Sequence, residues 1–264
     1  MGEPVEIVDL GPEHEDVYLS CLKPEDAVFA EGVPMKRDWY RRSRDGGVRV
    51  KLAIDDDGAV AGMVQYVPRP LAPFVVGDDD IWVIHCIWVH VYESGIGNRG
   101  GRGMGPALLR AAEEDMRQRG ARGVAAWGLT IPEWMNVPWF EGQGYSRVDV
   151  QGVMGLAFKA FDPDVDDPRW LRETKRPEPI PGKVRVSSFV IGWCTSGNLN
   201  HEWARRAARE LGDDVVFETY DTSDPEVVRE WGISTGIYVD GEEYAVDGSE
   251  TYVRFRDLIR SRMP

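Results

Sequence analysis

Between Trp88 and Arg119 the sequence WVHVYESGIGNRGGRGMGPALLRAAEEDMRQR leaves an apolar stretch, crosses a segment dense in glycine, and enters a helical pattern. Gly95, Gly97, Gly100, Gly101, Gly103 and Gly105 fall inside that segment, with Arg99 and Arg102 among them. A strand, a glycine-rich turn and a helix N-terminus together suit a phosphate group. The first helical N–H groups have no intrahelical partners, and the helix dipole places partial positive charge there. Glycine lets the backbone approach a ligand and take positive φ. The pattern is not a P-loop, since no Gly-Lys-Ser/Thr follows. It also lacks the strand–helix alternation of a dinucleotide fingerprint.

Three further positions carry chemistry. His85 and Cys86 lie side by side in the apolar run VIHCIWV, and strand alternation would aim one of them into a cleft. His85 is a candidate proton relay and Cys86 a candidate nucleophile, although strand residues of both types are more often core. Glu133, in IPEWMN, is a candidate base or a charge favouring a helix N-terminus. Cys194, in GWCTSGNLN, follows a strand and precedes a helix, a placement that lowers a thiol pKa.

The elements that must position these groups are readable from periodicity. VEIVD is a first strand and GPEHEDVYLSCL a short helix; PMKRDWYRRSRDGG is a second helix stopped at Gly46-Gly47. VRVKLAIDDDGAVAGMVQYVP makes two strands around a turn at Asp57-Gly58. DDIWVIHCIWVHV, nearly all apolar, is a central strand. The helix from Met104 to about Arg119 buries Met104, Leu108, Leu109, Ala112 and Met116, and Gly120 ends it. GVAAWGL is a strand, PEWMNVPWFEGQGY a short helix with loop, and SRVDVQGVMGLAFKAF a final hairpin. The proline- and charge-rich stretch 162–183 connects to a second pattern, read as β-α-β-α-β-β-α.

The chain of 264 residues carries a net charge of −14, which argues against nucleic acid and anionic membranes as partners. Asp55-Asp56-Asp57 and Asp78-Asp79-Asp80 read as solvated turns. Cys21, Cys86 and Cys194 are too scattered for a disulfide framework or a metal site. No stretch is long enough to span a membrane and no leader pattern is visible, so the expectation is a cytoplasmic protein.

The segment GGRGMG (Gly100–Gly105) resembles the acyl-CoA-binding loop of the GNAT N-acetyltransferases, Gln/Arg-x-x-Gly-x-Gly/Ala, with Gly100 in the Gln/Arg place. The preceding GIGNRG looks like an insertion, and Gly144-Tyr145 in WFEGQGYSRVD resembles the family's glycine–aromatic pair. The resemblance covers about residues 5–161. It implies a mixed, mostly antiparallel sheet flanked by helices, an α/β (α+β) class. It also implies acetyl-CoA as co-substrate with no metal, and direct attack by a small amine or amino-acid-like acceptor. The co-substrate would lie on Val89, His90 and Val91 and on Gly101, Arg102, Gly103, Met104, Gly105 and Pro106. Phe140 stands where many relatives have an acidic tyrosine. That substitution leaves room for a CoA-binding sensor as the alternative.

The C-terminal pattern resembles a thioredoxin-like domain whose second redox cysteine is Gly197, so Cys194 would act, if at all, as a monothiol. The pairing of the two is similar to the YoaP-like group. The expected division is therefore 1–161, a connection 162–183 and 184–264, with a homodimer left open.

Overall fold

The computed structural model describes residues 5–131, 135–244 and 251–263. In chain order its elements are β1 (Glu6–Asp9), α1 (Glu15–Leu19), α2 (Val33–Ser43), β2 (Arg49–Ile54), β3 (Val60–Pro68), β4 (Val75–Val76), β5 (Ile81–Val89), α3 (Met104–Gln118) and β6 (Gly123–Leu129). Then follow α4 (Val137–Glu141), β7 (Ser146–Gln151), β8 (Met154–Ala160), β9 (Arg169–Trp170), β10 (Val184–Val190), α5 (Thr195–Leu211), β11 (Val215–Asp221), α6 (Pro225–Trp231), β12 (Gly236–Val239), β13 (Glu242–Glu243) and α7 (Tyr252–Ser261).

The chain divides into two compact units, one of residues 1–25 and 40–170, the other of 26–39 and 171–264. Trp170 belongs to the first unit, and a segment from near the N-terminus belongs to the second.

In the first unit seven strands form one sheet in the order β1-β2-β3-β5-β6-β8-β7. Its neighbours are antiparallel except β5 with β6. β5 is the middle strand, and Ile81 to Ile87 are all buried, which is why its sequence is apolar throughout instead of alternating. α3 buries the expected stripe of Met104, Leu108, Leu109, Ala112 and Met116. It begins at Gly103, whose φ of 79° only glycine takes cheaply.

α3 also buries Glu113, which the sequence pattern does not show. Its carboxylate accepts from Lys159 Nζ at 2.9 and 3.0 Å and from Tyr145 Oη at 3.1 Å. A buried charge needs such partners, and these tie α3 to β8 and the α4–β7 turn.

The proline-rich stretch is partly ordered by the first unit. β9 pairs with β4, Trp170 N–H donates to Asp149 at 2.8 Å, and its ring stacks on Phe74.

The second unit has a four-stranded sheet, β11-β10-β12-β13, with β10 and β11 parallel and the rest antiparallel. α5 and α7 pack on it through Leu199, Trp203, Ala207, Phe255 and Ile259. Residues 26–39 fold onto the start of α5. There Asn198 Nδ2 donates to the carbonyls of Gly192 (2.7 Å) and Gly32 (3.4 Å), and Arg206 pairs with Glu31.

Candidate functional site

β5 hydrogen-bonds to β3 along its whole length, from Trp82 opposite Pro68 to Val89 opposite Gly62. Its parallel pairing with β6 covers only Ile81–Ile84 against Gly123–Ala126. Beyond that point β6 continues against β8 and β5 continues against β3, so among the described residues no strand ladder continues along the β6-facing edge of β5 from His85 onward.

One side chain bridges the start of this gap: Trp127 Nε1 donates to the His85 carbonyl at 2.9 Å. A β-bulge sits at the same place. Gln65 opposes Cys86 and Tyr66 opposes Ile84, so His85 is the extra residue. A bulge bends and twists its strand, which is a local reason for β5 to leave β6 here. Strand alternation, which would send either His85 or Cys86 into the cleft, does not survive it.

The open edge leads directly into the glycine segment. Gly95, Gly97, Gly101 and Gly103 all have positive φ. Gly101 and Gly103 have nothing within 4 Å of where a Cβ would stand, so the backbone there faces open space. Gly105 differs, because a Cβ would come within 3.3 Å of the Trp139 ring.

The amides of Met104 and Gly105 occupy the first turn of α3, while Pro106 has no N–H and only presets the helical φ. Val89 and His90 continue the edge, with Val91 and Tyr92 exposed beyond it. His90 is buried, and its Nδ1 lies 2.9 Å from the Gly97 carbonyl.

The loop is also held from outside. Asp55, at the β2–β3 turn, is buried, and its carboxylate lies 2.9 Å from Arg99 Nε and 3.8 Å from Arg102 Nη1. Asp57 takes a second contact from Arg99 at 3.2 Å. The solvated-turn reading of this acidic run therefore fails at Asp55, which is an anchor. Its sequence neighbours in an Asp run hid it.

His85 is fully buried, and burial alone pushes its pKa down to about 3. At pH 7 the ring is neutral. Its Nδ1 is 3.1 Å from Gln65 Nε2, and Gln65 Oε1 accepts from Tyr18 Oη at 2.7 Å. Burial likewise pushes Tyr18 well above its ordinary pKa.

Gln65 and Tyr18 were not singled out from sequence. The signal for Gln65 was present, an uncharged polar residue inside the apolar run VAGMVQYVP. Cys86 is buried opposite Gln65. Glu133 lies outside the described residues. Phe140 is fully buried against Trp139 and Tyr145, so its position is a packing site. Tyr145 is committed to Glu113, and burial followed by that carboxylate raises its pKa.

The acetyltransferase (GNAT) family pattern matches residues 15–145, which contain the open β5 edge, the glycine loop and α3. This segment belongs to the GNAT acetyltransferase family.

Among solved structures, the chain is similar to a GNAT-family acetyltransferase from Brucella melitensis in complex with acetyl-CoA. That match has 17% identity and a TM-score of 0.41, and covers 63% of this chain and 96% of that one. It is also similar to the GNAT-family N-acetyltransferase YhbS from Escherichia coli in complex with CoA (15%, 0.44, 64% and 93%). A third is an acetyltransferase of the GNAT family from Staphylococcus aureus (12%, 0.42, 60% and 100%). No curated protein matches.

Residues 171–264 of the second unit lie beyond the GNAT match, whereas its segment 26–39 falls within it. Cys194 is the N-cap of α5, and its Sγ accepts from Gly197 N–H at 3.5 Å. On the same helix, His201 Nδ1 lies 2.8 Å from Ser188 Oγ, and burial lowers the His201 pKa to about 4. Among the described residues no group of His, Cys, Asp and Glu is placed to hold a metal ion, and no helix is long and apolar enough to cross a membrane.

Proposed function

We propose that this GNAT protein transfers an acetyl group from acetyl-CoA to the nitrogen of a small amine or amino-acid-like acceptor. The observation that carries the proposal is the continuity between the unladdered edge of β5 past Ile84 and the glycine loop at the head of α3. An extended pantetheine arm can add to such an edge as a strand does, through backbone N–H and C=O groups. The pyrophosphate would then meet the amides of Gly101, Arg102, Gly103, Met104 and Gly105, where the dipole of a 15-residue helix favours negative charge. Val89, His90 and Val91 are the proposed turn between the two, with the His90 backbone already bonded to the Ala61 carbonyl and the Arg99 N–H.

In the reaction a neutral amine forms the N–C bond at the thioester carbonyl, and the C–S bond breaks. The amine nitrogen loses a proton and the CoA thiolate gains one. Developing oxyanion charge needs a donor positioned beforehand, and backbone N–H groups of β5 beyond its pairing with β6 are the proposed source.

His85 enters this scheme as a neutral, hydrogen-bonded group. A pKa near 3 leaves it unable to hold the amine's proton at pH 7. Glu133 remains a proposal for proton handling, with water carrying the proton from amine to solvent as the simplest route, and Cys86 remains a proposed nucleophile.

The order β10-α5-β11-α6-β12-β13-α7, with Cys194 capping α5, supports a thioredoxin-like reading of the second unit as a monothiol domain. It also supports keeping the YoaP-like grouping as a proposal.

The test is acetyl-CoA titration by calorimetry, followed by thiol release with a panel of amines. Binding and release together are expected. Binding without release would favour a CoA sensor, and no binding would remove the reading.

A further inference from the structure

We infer that Asp55 and Arg99 form a positioning clip for the phosphate loop, a device outside the Gly100–Gly105 motif. The inference rests on the functional reading above for its effect on acetyl-CoA, but the clip itself is a property of the free protein.

The two oxygens of the Asp55 carboxylate have separate roles. Oδ1 accepts from Asp57 N–H at 2.7 Å, which shapes the β2–β3 turn. Oδ2 faces the glycine loop, with Arg99 Nε at 2.9 Å and Arg102 Nη1 at 3.8 Å. The Asp55–Arg99 contact lacks the alignment of a hydrogen bond, so it holds as an ion pair. The Asp55 side chain is only 1% exposed, which makes this pair far less screened by solvent than a surface one.

Arg99 is gripped from its backbone as well. Its N–H donates to the His90 carbonyl at 2.8 Å, and His90 Nδ1 meets the Gly97 carbonyl. The inserted GIGNRG therefore folds back on the end of β5 and is pinned to a neighbouring turn. That leaves Gly100–Gly103 as a short span between two fixed points, Arg99 and α3. Glycine freedom in the span would otherwise cost ordering entropy at each binding event, and a preset loop avoids that cost. The two arginines are thereby differentiated. Arg99, with its side chain 17% exposed, is structural, and Arg102, 46% exposed, is the cation available to a phosphate.

The experiment compares Asp55→Asn, Arg99→Gln and Arg99→Lys with the intact protein, in full-length chain. Two readouts are used: amide hydrogen exchange of Arg99 without ligand, and steady-state kinetics with acetyl-CoA varied. Asn keeps the acceptor for Asp57 N–H, so the turn itself is preserved. The expected result is at least tenfold faster exchange at Arg99 in Asp55→Asn and Arg99→Gln. KM for acetyl-CoA should rise ten- to thirtyfold with kcat within twofold, and Arg99→Lys should recover part of both. Exchange unchanged in both disruptive variants would overturn the clip. If the intact protein binds no acetyl-CoA, the functional reading fails, yet the exchange arm still decides whether the clip exists.

Discussion

Gln65 and His85 meet side chain to side chain at 3.1 Å although the β3–β5 ladder passes over His85, pairing Gln65 with Cys86 and Tyr66 with Ile84. The bulge takes the histidine out of strand alternation and presents its Nδ1 to the glutamine. Tyr18 completes the row from α1 through its bond to Gln65 Oε1. A polar chain sealed in an apolar core is stable only when its members satisfy one another; these bonds orient His85, and burial keeps it neutral.

The first prediction follows from that neutrality. The folded pKa of His85, about 3, is below the unfolded value of 6.5, so unfolding takes up a proton between these limits. Stability contributed by the neutral ring is present above pH 6.5 and is lost as pH falls toward 3. The slope is up to about 1.4 kcal/mol per pH unit for one proton. His201 acts in the same direction, so the difference between the intact protein and His85→Gln isolates the effect. Urea unfolding from pH 4 to 7 should show a shallower pH slope in the variant. kcat/KM should rise through neutral pH in the intact protein and in His85→Gln alike, because that limb reports deprotonation of the amine acceptor. Disappearance of that limb would show that the ring titrates in the reaction.

The glycines at the head of α3 fail for different reasons when substituted. At Gly103 a Cβ has room, but φ is 79°, so Gly103→Ala should destabilise by about 1 kcal/mol through backbone strain. Gly103→Val should do so more. Gly105→Val meets the Trp139 ring at once. Both valine variants should abolish acetyl-CoA binding measured by calorimetry, Gly103→Val by placing carbon and strain where the loop faces open space and Gly105→Val by pushing the first turn of α3 away from Trp139. Arg102→Ala should weaken binding less, as the backbone amides provide most of the site. Unchanged affinity in either valine variant would remove the pyrophosphate assignment.

The sequence showed more of the fold than of the site, for reasons visible in single residues. β5 and α3 were legible because burial on two faces or on one stripe leaves a periodic signature. Asp55 and Glu113 were not, because a buried ion pair looks in sequence like any surface carboxylate. Arg99 and Lys159, which bury them, lie 44 and 46 residues away in the chain. The bulge at His85 was illegible for a similar reason: it is a property of the β3–β5 pair, and alternation within one strand cannot report it.

Glu113 supplies a stability prediction that should leave acetyl-CoA binding untouched. Tyr145→Phe removes one hydrogen bond to a buried carboxylate and should cost about 1–2 kcal/mol. Glu113→Ala leaves Lys159, about a quarter exposed, without its partner, and should cost about 3 kcal/mol. Thermal unfolding ranks the two. A kcat change of more than threefold in Tyr145→Phe would show that Tyr145 also takes part in the chemistry.

Cys194 gives a prediction with two arms. As the N-cap of α5 it is replaceable by serine, whose hydroxyl caps at least as well, whereas Cys194→Ala should lose about 1 kcal/mol. A dithiol cycle needs a resolving cysteine, and position 197, a turn further on, is Gly197. The intact protein should therefore fail to reduce an insulin disulfide catalytically, and Cys194→Ser should keep acetyl-CoA binding and most acetyl transfer. Catalytic insulin reduction would restore the redox reading.

The second unit is not a removable tail, because it includes residues 26–39. Gly32 sits so close to the start of α5 that a Cβ would lie 2.3 Å from the Thr195 carbonyl, and a Cβ on Gly192 would lie 2.9 Å from the Trp39 side chain. Trp39 is buried and Glu31 is paired with Arg206. A protein cut at Pro181 would keep 26–39 between α1 and β2 but lose every one of these partners. It would expose Trp39 and the apolar surface of α2. Burying a side chain of that size is worth about 1.5–3 kcal/mol or more, and an exposed patch promotes association. The 1–181 protein should therefore unfold at lower temperature than the intact chain and aggregate on concentration. A second truncation that also replaces 26–39 with a short Gly/Ser linker should be more soluble than the first. Light scattering and thermal unfolding compare the three, and a 1–181 protein as stable and monodisperse as the intact chain would show that 26–39 does not depend on the second unit.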